Sequence, residues 1–208
     1  MKTKQKITEL TRRRYDRLAR LYDLLEAPIE RFRFASWRTR LQEKIRGPYA
    51  LEAGLGTGKN MLYYPPGVKI TGIDLSPRML NQARKRAAAL GLNMDICEMD
   101  VQALAFPDNS FNTVFATFVF CSVPDPVLGL AELLRVCKPD GKLLLMEHMR
   151  PDRRVPGSLF DFLNPMIVRM MGANINRRTM DNIRRAGWNI TVDEHLSSDI
   201  VRWIEAQP

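Results

Sequence analysis

Apolar residues follow two different rhythms along this chain. In the first 25 residues, Ile7, Leu10, Leu18, Leu21, Tyr22 and Leu25 recur at three- and four-residue steps. That spacing predicts a helix with one apolar stripe. Arg12, Arg13, Arg17 and Arg20 fall on its other faces. Pro28 interrupts the pattern, a second basic helix is expected over residues 29–45, and Gly47-Pro48 closes the segment. From residue 49 onward, short apolar runs alternate with helical stretches. Runs at 49–53, 68–73, 93–97, 112–118 and 142–147 read as strands. Ser76-Pro77 and Asp125-Pro126 each place a capping side chain before a proline suited to the first helical position. The helices they start run to about residues 90 and 136. Residues 105–110 read as a loop and Pro139-Asp140-Gly141 as a turn. After Arg150 the pattern loosens, with helices near 159–170 and 177–186 and strands near 188–194 and 200–205. Alternation of this kind implies an α/β fold, a parallel sheet covered by helices.

Composition narrows the class. A chain of 208 residues fits one domain with a sizeable core. No apolar run approaches the ~20 residues of a membrane-spanning helix. The Lys/Thr-rich start does not read as a secretion signal. Cys97, Cys121 and Cys137 have no CxxC spacing, and His148 and His195 are the only histidines, so no zinc site is expected. These features suggest a reduced, cytoplasmic chain without structural metal. The net charge of +9 is unevenly placed. Residues 1–46 carry 14 Lys and Arg against 6 Asp and Glu, and the remaining 162 carry 18 against 17. The expected organisation is therefore a basic helical cap over 1–46 on a body over 47–208, in which 151–187 stands apart as a looser segment. A basic segment of this kind suits an anionic lipid surface, nucleic acid or an acidic protein.

The candidate chemistry begins at Leu51-Glu52-Ala53-Gly54-Leu55-Gly56-Thr57-Gly58. Glycines between a strand and a helix let a ligand approach the backbone closely and mark a nucleotide-type site. A dinucleotide turn, GxGxxG, would need glycine at 59, where Lys59 stands. Asp74, at the end of the next strand, suits the hydroxyls of a ribose and would repel a 2′-phosphate. Its plainer reading is a helix cap, a role that Ser76 already fills.

The E-x-G-x-G-x-G form resembles motif I of the class I methyltransferases that use S-adenosylmethionine (SAM). The resemblance extends over about residues 10–150. It includes Gly72-Ile73-Asp74-Leu75-Ser76-Pro77-Arg78-Met79-Leu80, Asp100, Phe106-Pro107-Asp108-Asn109-Ser110-Phe111 and Leu134-Arg135-Val136-Cys137-Lys138-Pro139-Asp140-Gly141. Together these are similar to the ubiquinone/menaquinone-type group, which includes bacterial phosphatidylethanolamine N-methyltransferases. Tyr63-Tyr64-Pro65-Pro66-Gly67, Phe120-Cys121-Ser122-Val123, Glu147-His148-Met149 and Asn174-Ile175-Asn176-Arg177 also resemble membrane-associated alkyl-thiol S-methyltransferases. The resemblance implies a Rossmann-like, doubly wound seven-stranded sheet in order 3-2-1-4-5-7-6. It implies SAM as cofactor, S-adenosylhomocysteine as product, and cofactor contacts from Glu52, Gly54, Gly56, Gly58, Asp74, Leu75, Met79, Asp100, Val101 and Phe118. Asp100 would meet the adenine amino group.

Two residues are candidates for catalysis. His148 ends the fifth expected strand beside the same crevice and is placed to accept a proton, with a structural histidine as the competing reading. Tyr22 is placed to close over the site from the N-terminal helix, whereas Tyr15 reads as packing. Phe118, Val119, Phe120 and Cys121 would form an apolar wall at the donor methyl, or plain core. The expected function is methyl transfer to a small or lipid-like acceptor at a membrane surface. A phosphatidylethanolamine headgroup is first choice, and a quinone ring carbon or an alkyl thiol follows. The basic N-terminal helix would dock on anionic lipid at the inner membrane face. A SAM-binding or RNA-associated module with little catalysis is the alternative from another class, since Phe32, Phe34 and Trp37 interleave with Arg31, Arg33 and Arg38. The resemblance weighs against nucleic acid.

Overall fold

The computed structural model describes residues 2–19, 34–152, 154–197 and 199–208. Among the described residues two helices, α1 (Lys2–Leu18) and α2 (Ala35–Lys44), precede the sheet. The body then runs β1 (Tyr49–Ala53), β2 (Lys69–Asp74), α3 (Pro77–Ala89), β3 (Asp95–Glu98), β4 (Phe111–Thr117), α4 (Pro126–Val136), β5 (Cys137–His148), α5 (Arg154–Met171), α6 (Thr179–Arg185), β6 (Asn189–Ser197) and β7 (Val201–Gln207). Seven strands form one sheet in the order β3-β2-β1-β4-β5-β7-β6, as the resemblance implies. Pairings from β3 through β5 are parallel, and β7 pairs antiparallel with both β5 and β6.

The sheet is covered on both faces, so its central strands read as continuous apolar runs. Side chains still alternate. Leu143 and Leu145 of β5 join Val114, Ala116, Ile204, Leu130, Leu133 and Ile183 on one face. Leu144 and Met146 join Phe115, Trp203 and Leu41 on the other. Trp188, before β6, buries its ring and donates its indole N–H to the Leu130 carbonyl at 2.9 Å, tying the last hairpin to α4.

Both expected caps form. The Ser76 hydroxyl accepts from the Met79 amide at 3.1 Å to start α3. The Asp125 carboxylate accepts from the Leu128 amide at 3.2 Å to start α4. The turn expected at Pro139-Asp140-Gly141 lies within β5 instead. Phe111 pairs with Cys137 and Thr113 with Lys142, so the extra residues are absorbed as a register shift while pairing resumes.

The N-terminal helix turns a different face to the body than its apolar stripe suggests. Ile7 and Leu10 are 46% and 45% exposed, whereas Thr11 and Ala19 are 8% and 4% exposed. Thr11, Tyr15 and Ala19, spaced by four, form the inward ridge. Polar contacts decide this orientation. The Ser76 hydroxyl and the Arg78 amide donate to Asp16 at 2.6 and 3.3 Å, and the Gln102 side-chain amide reaches Thr8 at 3.4 Å. The remainder of the expected stripe, Leu21, Tyr22 and Leu25, lies outside the described residues, as do Arg20 and Pro28. Of the second expected helix, the described part is α2.

The clasp at Asp16 is testable. Asp16→Ala removes the acceptor for Ser76 and Arg78, about 1–1.5 kcal/mol of net hydrogen bonding. Amide exchange in α1 should then speed up about five- to tenfold while β5 amides keep their protection. Unchanged exchange in α1 would show that the clasp does not hold the helix.

Candidate functional site

A cleft opens where β1, β2 and β4 end. Parallel strands deliver their following loops to one edge of the sheet, and reversal of strand order between β1 and β4 separates those loops into a crevice. Gly54 and Gly56 form its floor. Both take positive φ, +69° and +56°, a region that L side chains rarely adopt. A Cβ on Gly54 would stand 2.3 Å from a Val119 methyl, so the glycine lets the β1 turn touch the loop after β4. A Cβ on Gly56 would meet only the Gly54 carbonyl, at 4.0 Å, and otherwise open space. The backbone there is bare toward the cleft, as close approach of a ligand requires.

Asp74 joins this floor to the next element. One carboxylate oxygen accepts from the Gly56 amide at 2.8 Å, and the other from the Ser76 amide at 2.8 Å. Burial raises its pKa, and the amide hydrogen bonds from Ser76, Gly56 and Leu75 oppose that rise. Two carboxylate oxygens offer about four acceptor directions, so capacity remains for a ligand's hydroxyls. Asp100 is held in turn by Gln102, whose side-chain nitrogen lies 3.0 Å from each carboxylate oxygen. The Gln102 carbonyl oxygen accepts from the Asp125 amide at 2.9 Å, which links this loop to the start of α4.

The far wall is the loop after β4. Phe118 has φ +58°, a strained conformation for a bulky residue. Its amide donates to the Met146 carbonyl at 2.8 Å, and its ring stacks on His148 at 4.4 Å and tilts against Phe34 at 4.8 Å. Glu147 lies fully buried behind it. One of its oxygens accepts from the Val119 and Phe120 amides at 2.7 and 3.0 Å, while the other has no partner. Burial pushes the Glu147 carboxyl up to about 7 despite those amides.

Of the residues expected to hold the cofactor, Gly54, Gly56, Asp74, Leu75, Met79, Asp100, Val101 and Phe118 line the cleft. Glu52 and Gly58 do not. Glu52 accepts from the Asn60 side-chain amide at 2.7 Å and from the Tyr64 hydroxyl, in a buried network with Arg38 and Thr117. Burial raises its carboxyl to about 7 as well. Gly58, at φ +80°, makes the left-handed turn into the short helix Lys59–Tyr63, and a Cβ there would strike Met61. These two shape the turn from behind. His148 is half-buried and does not line the cleft itself, but its ring stacks on Phe118, which does. Tyr22 lies outside the described residues.

Tyr15, read as packing, lines the cleft and shares a hydrogen bond with the Ser122 hydroxyl across 107 residues of sequence. Burial drives its phenol pKa far up, so it serves as a neutral hydrogen-bonding group. Thr11 and Arg12 line the cleft beside it, and Arg12 is fixed by Glu9 at 2.8 Å. Periodicity missed these residues because the apolar stripe pointed elsewhere. Glu147 carried a sequence signal, a lone acid after the run Leu143-Leu144-Leu145-Met146, which marks a carboxylate at the buried end of a strand.

A methyltransferase-domain model matches residues 51–145, the span from the glycine turn through β5. Phosphatidylethanolamine N-methyltransferase of Cereibacter sphaeroides is 37% identical over 118 residues, covering 56% of this chain and 58% of that protein. Demethylmenaquinone methyltransferase of Thermus thermophilus is 31% identical over 168 residues, covering 78% and 76%. The matched part spans between 53% and 76% of the first four curated relatives. Among solved structures, a SAM-dependent methyltransferase of Thermotoga maritima superposes with TM-score 0.68 at 22% identity over 94% of this chain and 98% of its own. The cyclase SpnF superposes with TM-score 0.70 at 20% identity, covering 84% and 80%. Likeness at that level shows the fold alone, which is shared by an enzyme named for a different reaction.

Besides Asp74, which shifts in the same direction, Glu52 and Glu147 set a pH dependence. Their folded pKa values, about 7, lie above the ordinary 4.5, so the native state holds protons that the unfolded chain has lost. Stability should therefore be greatest below about pH 4.5 as far as these groups are concerned, and fall as pH rises toward and through 7. Glu147→Gln removes one of the two titrations, and its urea midpoint should fall less between pH 5 and 8 than that of the wild type. A variant with an unchanged slope would place the titration elsewhere.

Proposed function

This chain belongs to the SAM-dependent methyltransferase family, and from that premise we propose that it methylates the amine of a phospholipid headgroup, phosphatidylethanolamine, at a membrane surface. The residues at the cleft fit the cofactor. Gly54 and Gly56 leave open backbone for its amino-acid part, Asp74 offers acceptors to ribose hydroxyls, and Asp100 faces the adenine side. Leu75, Met79 and Val101 supply apolar walls for the base. When bound, SAM supplies a methyl group already activated by a positive sulfur.

The protein's own task is then alignment and exclusion of water, the kind of proximity effect that supplies ~7–11 kcal/mol. Phe118 and Val119 present apolar surface where the reacting groups would meet, an environment that disfavours a charged ground state relative to a transition state in which charge is dispersing. Tyr15 of α1, bonded to Ser122 of the loop after β4, closes that end. An amine must lose its proton before it attacks. His148, stacked on Phe118 behind the cleft wall, is the proposed acceptor of that proton by way of a bridging water.

One observation carries the membrane reading. The helix that closes the cleft turns Ile7 and Leu10 outward beside the exposed Arg13. Apolar side chains on a basic helix suit the boundary of an anionic bilayer. Helix α5 adds exposed Leu159, Phe162 and Met166, spaced to share one face. Among the described residues no helix is long and apolar enough to cross a membrane, so the proposed contact is peripheral. The demethylmenaquinone relative, which covers more of the chain, favours a quinone ring carbon as the second reading.

Labelled SAM with vesicles containing phosphatidylethanolamine should yield a singly or multiply N-methylated lipid, with transfer and vesicle sedimentation both weakening as salt rises. Methylation of a demethylquinone alone would select the second reading. Equal binding to neutral and anionic vesicles would remove the electrostatic docking. His148→Ala should lower kcat by about a hundredfold or more and abolish the acidic limb of its pH profile. An unchanged profile would exclude His148 as the base.

A further inference from the structure

A second cavity lies where the end of β5 meets α6 and β7. It is lined by five arginines against three aspartates. Most of those charges are matched within the protein. Arg150 is held by Asp161 at 2.9–3.2 Å, and Arg184 stands 3.6 Å from Asp181. Among the described residues three buried donors of this lining lack a partner, two at the start of α6 and one on β7. Arg202, 4% exposed on β7, gives its terminal nitrogens to Asp193 and Asp152 but leaves Nε without a partner. Thr179, 1% exposed, leaves its hydroxyl unpartnered. Arg177 spends one terminal nitrogen on the Val123 carbonyl at 2.7 Å, and its buried Nε also lacks a partner.

A guanidinium N–H can only donate, so whatever satisfies Arg177 and Arg202 must accept. Leaving such donors dry in a protein interior is costly, more so for a charged group. A ligand that removes the cost needs several acceptor atoms around one centre and a negative charge. A carboxylate offers two oxygens, whereas a phosphate ester or phosphate offers three or four, one for each of the three donors. Burial also lowers the pKa of Arg177, a strain that a neighbouring anion would relieve.

We propose that this cavity is a binding site for a phosphate group, held by Arg177, Thr179 and Arg202. Through its bond to Val123, which lines the cofactor cleft, Arg177 makes the two cavities neighbours across one loop. The phosphate has two sources, a phospholipid headgroup reaching toward the cleft or a free phosphate compound. The assignment of the site does not depend on methyl transfer.

Calorimetry of the full chain with inorganic phosphate, without SAM, tests it. The wild type should bind one phosphate saturably, and Thr179→Val should weaken that binding about tenfold by deleting one donor. The same variant should keep or slightly raise the melting temperature without phosphate, because it removes an unsatisfied buried hydroxyl in an isosteric swap. Arg177→Gln should also weaken binding. If loss of the Val123 contact unfolds it, Thr179→Val carries the test alone. Tighter binding of glycerophosphoethanolamine than of phosphate would identify the headgroup as the source, and the reverse order a free phosphate. Absence of saturable binding at millimolar phosphate, or equal affinity in the wild type and Thr179→Val, would overturn the site.

Discussion

The carboxylate of Asp74 is the joint on which the site depends. It receives the Gly56 amide from the turn after β1 and the Ser76 amide at the start of α3. Ser76 in turn caps α3 through Met79 and donates to Asp16 of α1. One short chain of hydrogen bonds thus fixes the floor of the cleft, the neighbouring helix and the helix that closes over them. Because Asp74 is buried, each of those bonds works in a medium of low dielectric, where losing one leaves a charge poorly solvated.

The opposite wall is built on the same plan with different parts. Glu147 is sunk at the end of β5 and receives two consecutive amides from the loop after β4. That loop holds Phe118 at a positive φ, a conformation that persists only when the surroundings fix it. The stack on His148 and the contact of Gly54 with Val119 complete the restraint. Two buried carboxylates, Asp74 and Glu147, therefore hold the loops on the two sides of the cleft by grasping backbone amides. A cleft built this way is largely formed before any ligand arrives, which lowers the ordering cost of binding.

The outward apolar residues of α1 and α5 are consistent with the charge distribution of the chain. The basic excess sits in the first 46 residues, and α1 carries it across the mouth of the cleft. Covering that mouth and meeting a lipid surface are compatible tasks for one helix, since they use opposite faces. The polar clasp at Asp16 and Thr8 occupies the inner face and leaves Ile7 and Leu10 for the outer one.

The sequence by itself determined what short-range physics encodes. Ser76-Pro77 and Asp125-Pro126 start helices because a cap and a proline act within one turn. The spacing Gly54, Gly56, Gly58 with Lys59 shapes a turn within a few residues, and alternating apolar runs require a sheet buried on both faces. Strand order was legible through resemblance alone. Tertiary structure decided which faces meet. It rotated α1 so that Thr11 and Tyr15, rather than Ile7 and Leu10, face the body, because hydrogen bonds to Ser76 and Gln102 are made by residues far away in sequence. It drew Glu52 into a polar network away from the cleft and placed Glu147 under the loop. It also gathered Arg177, Thr179 and Arg202 around one cavity. No local pattern reports such juxtapositions. The burial and unpaired donors that give these residues their chemistry exist only once distant segments have packed together.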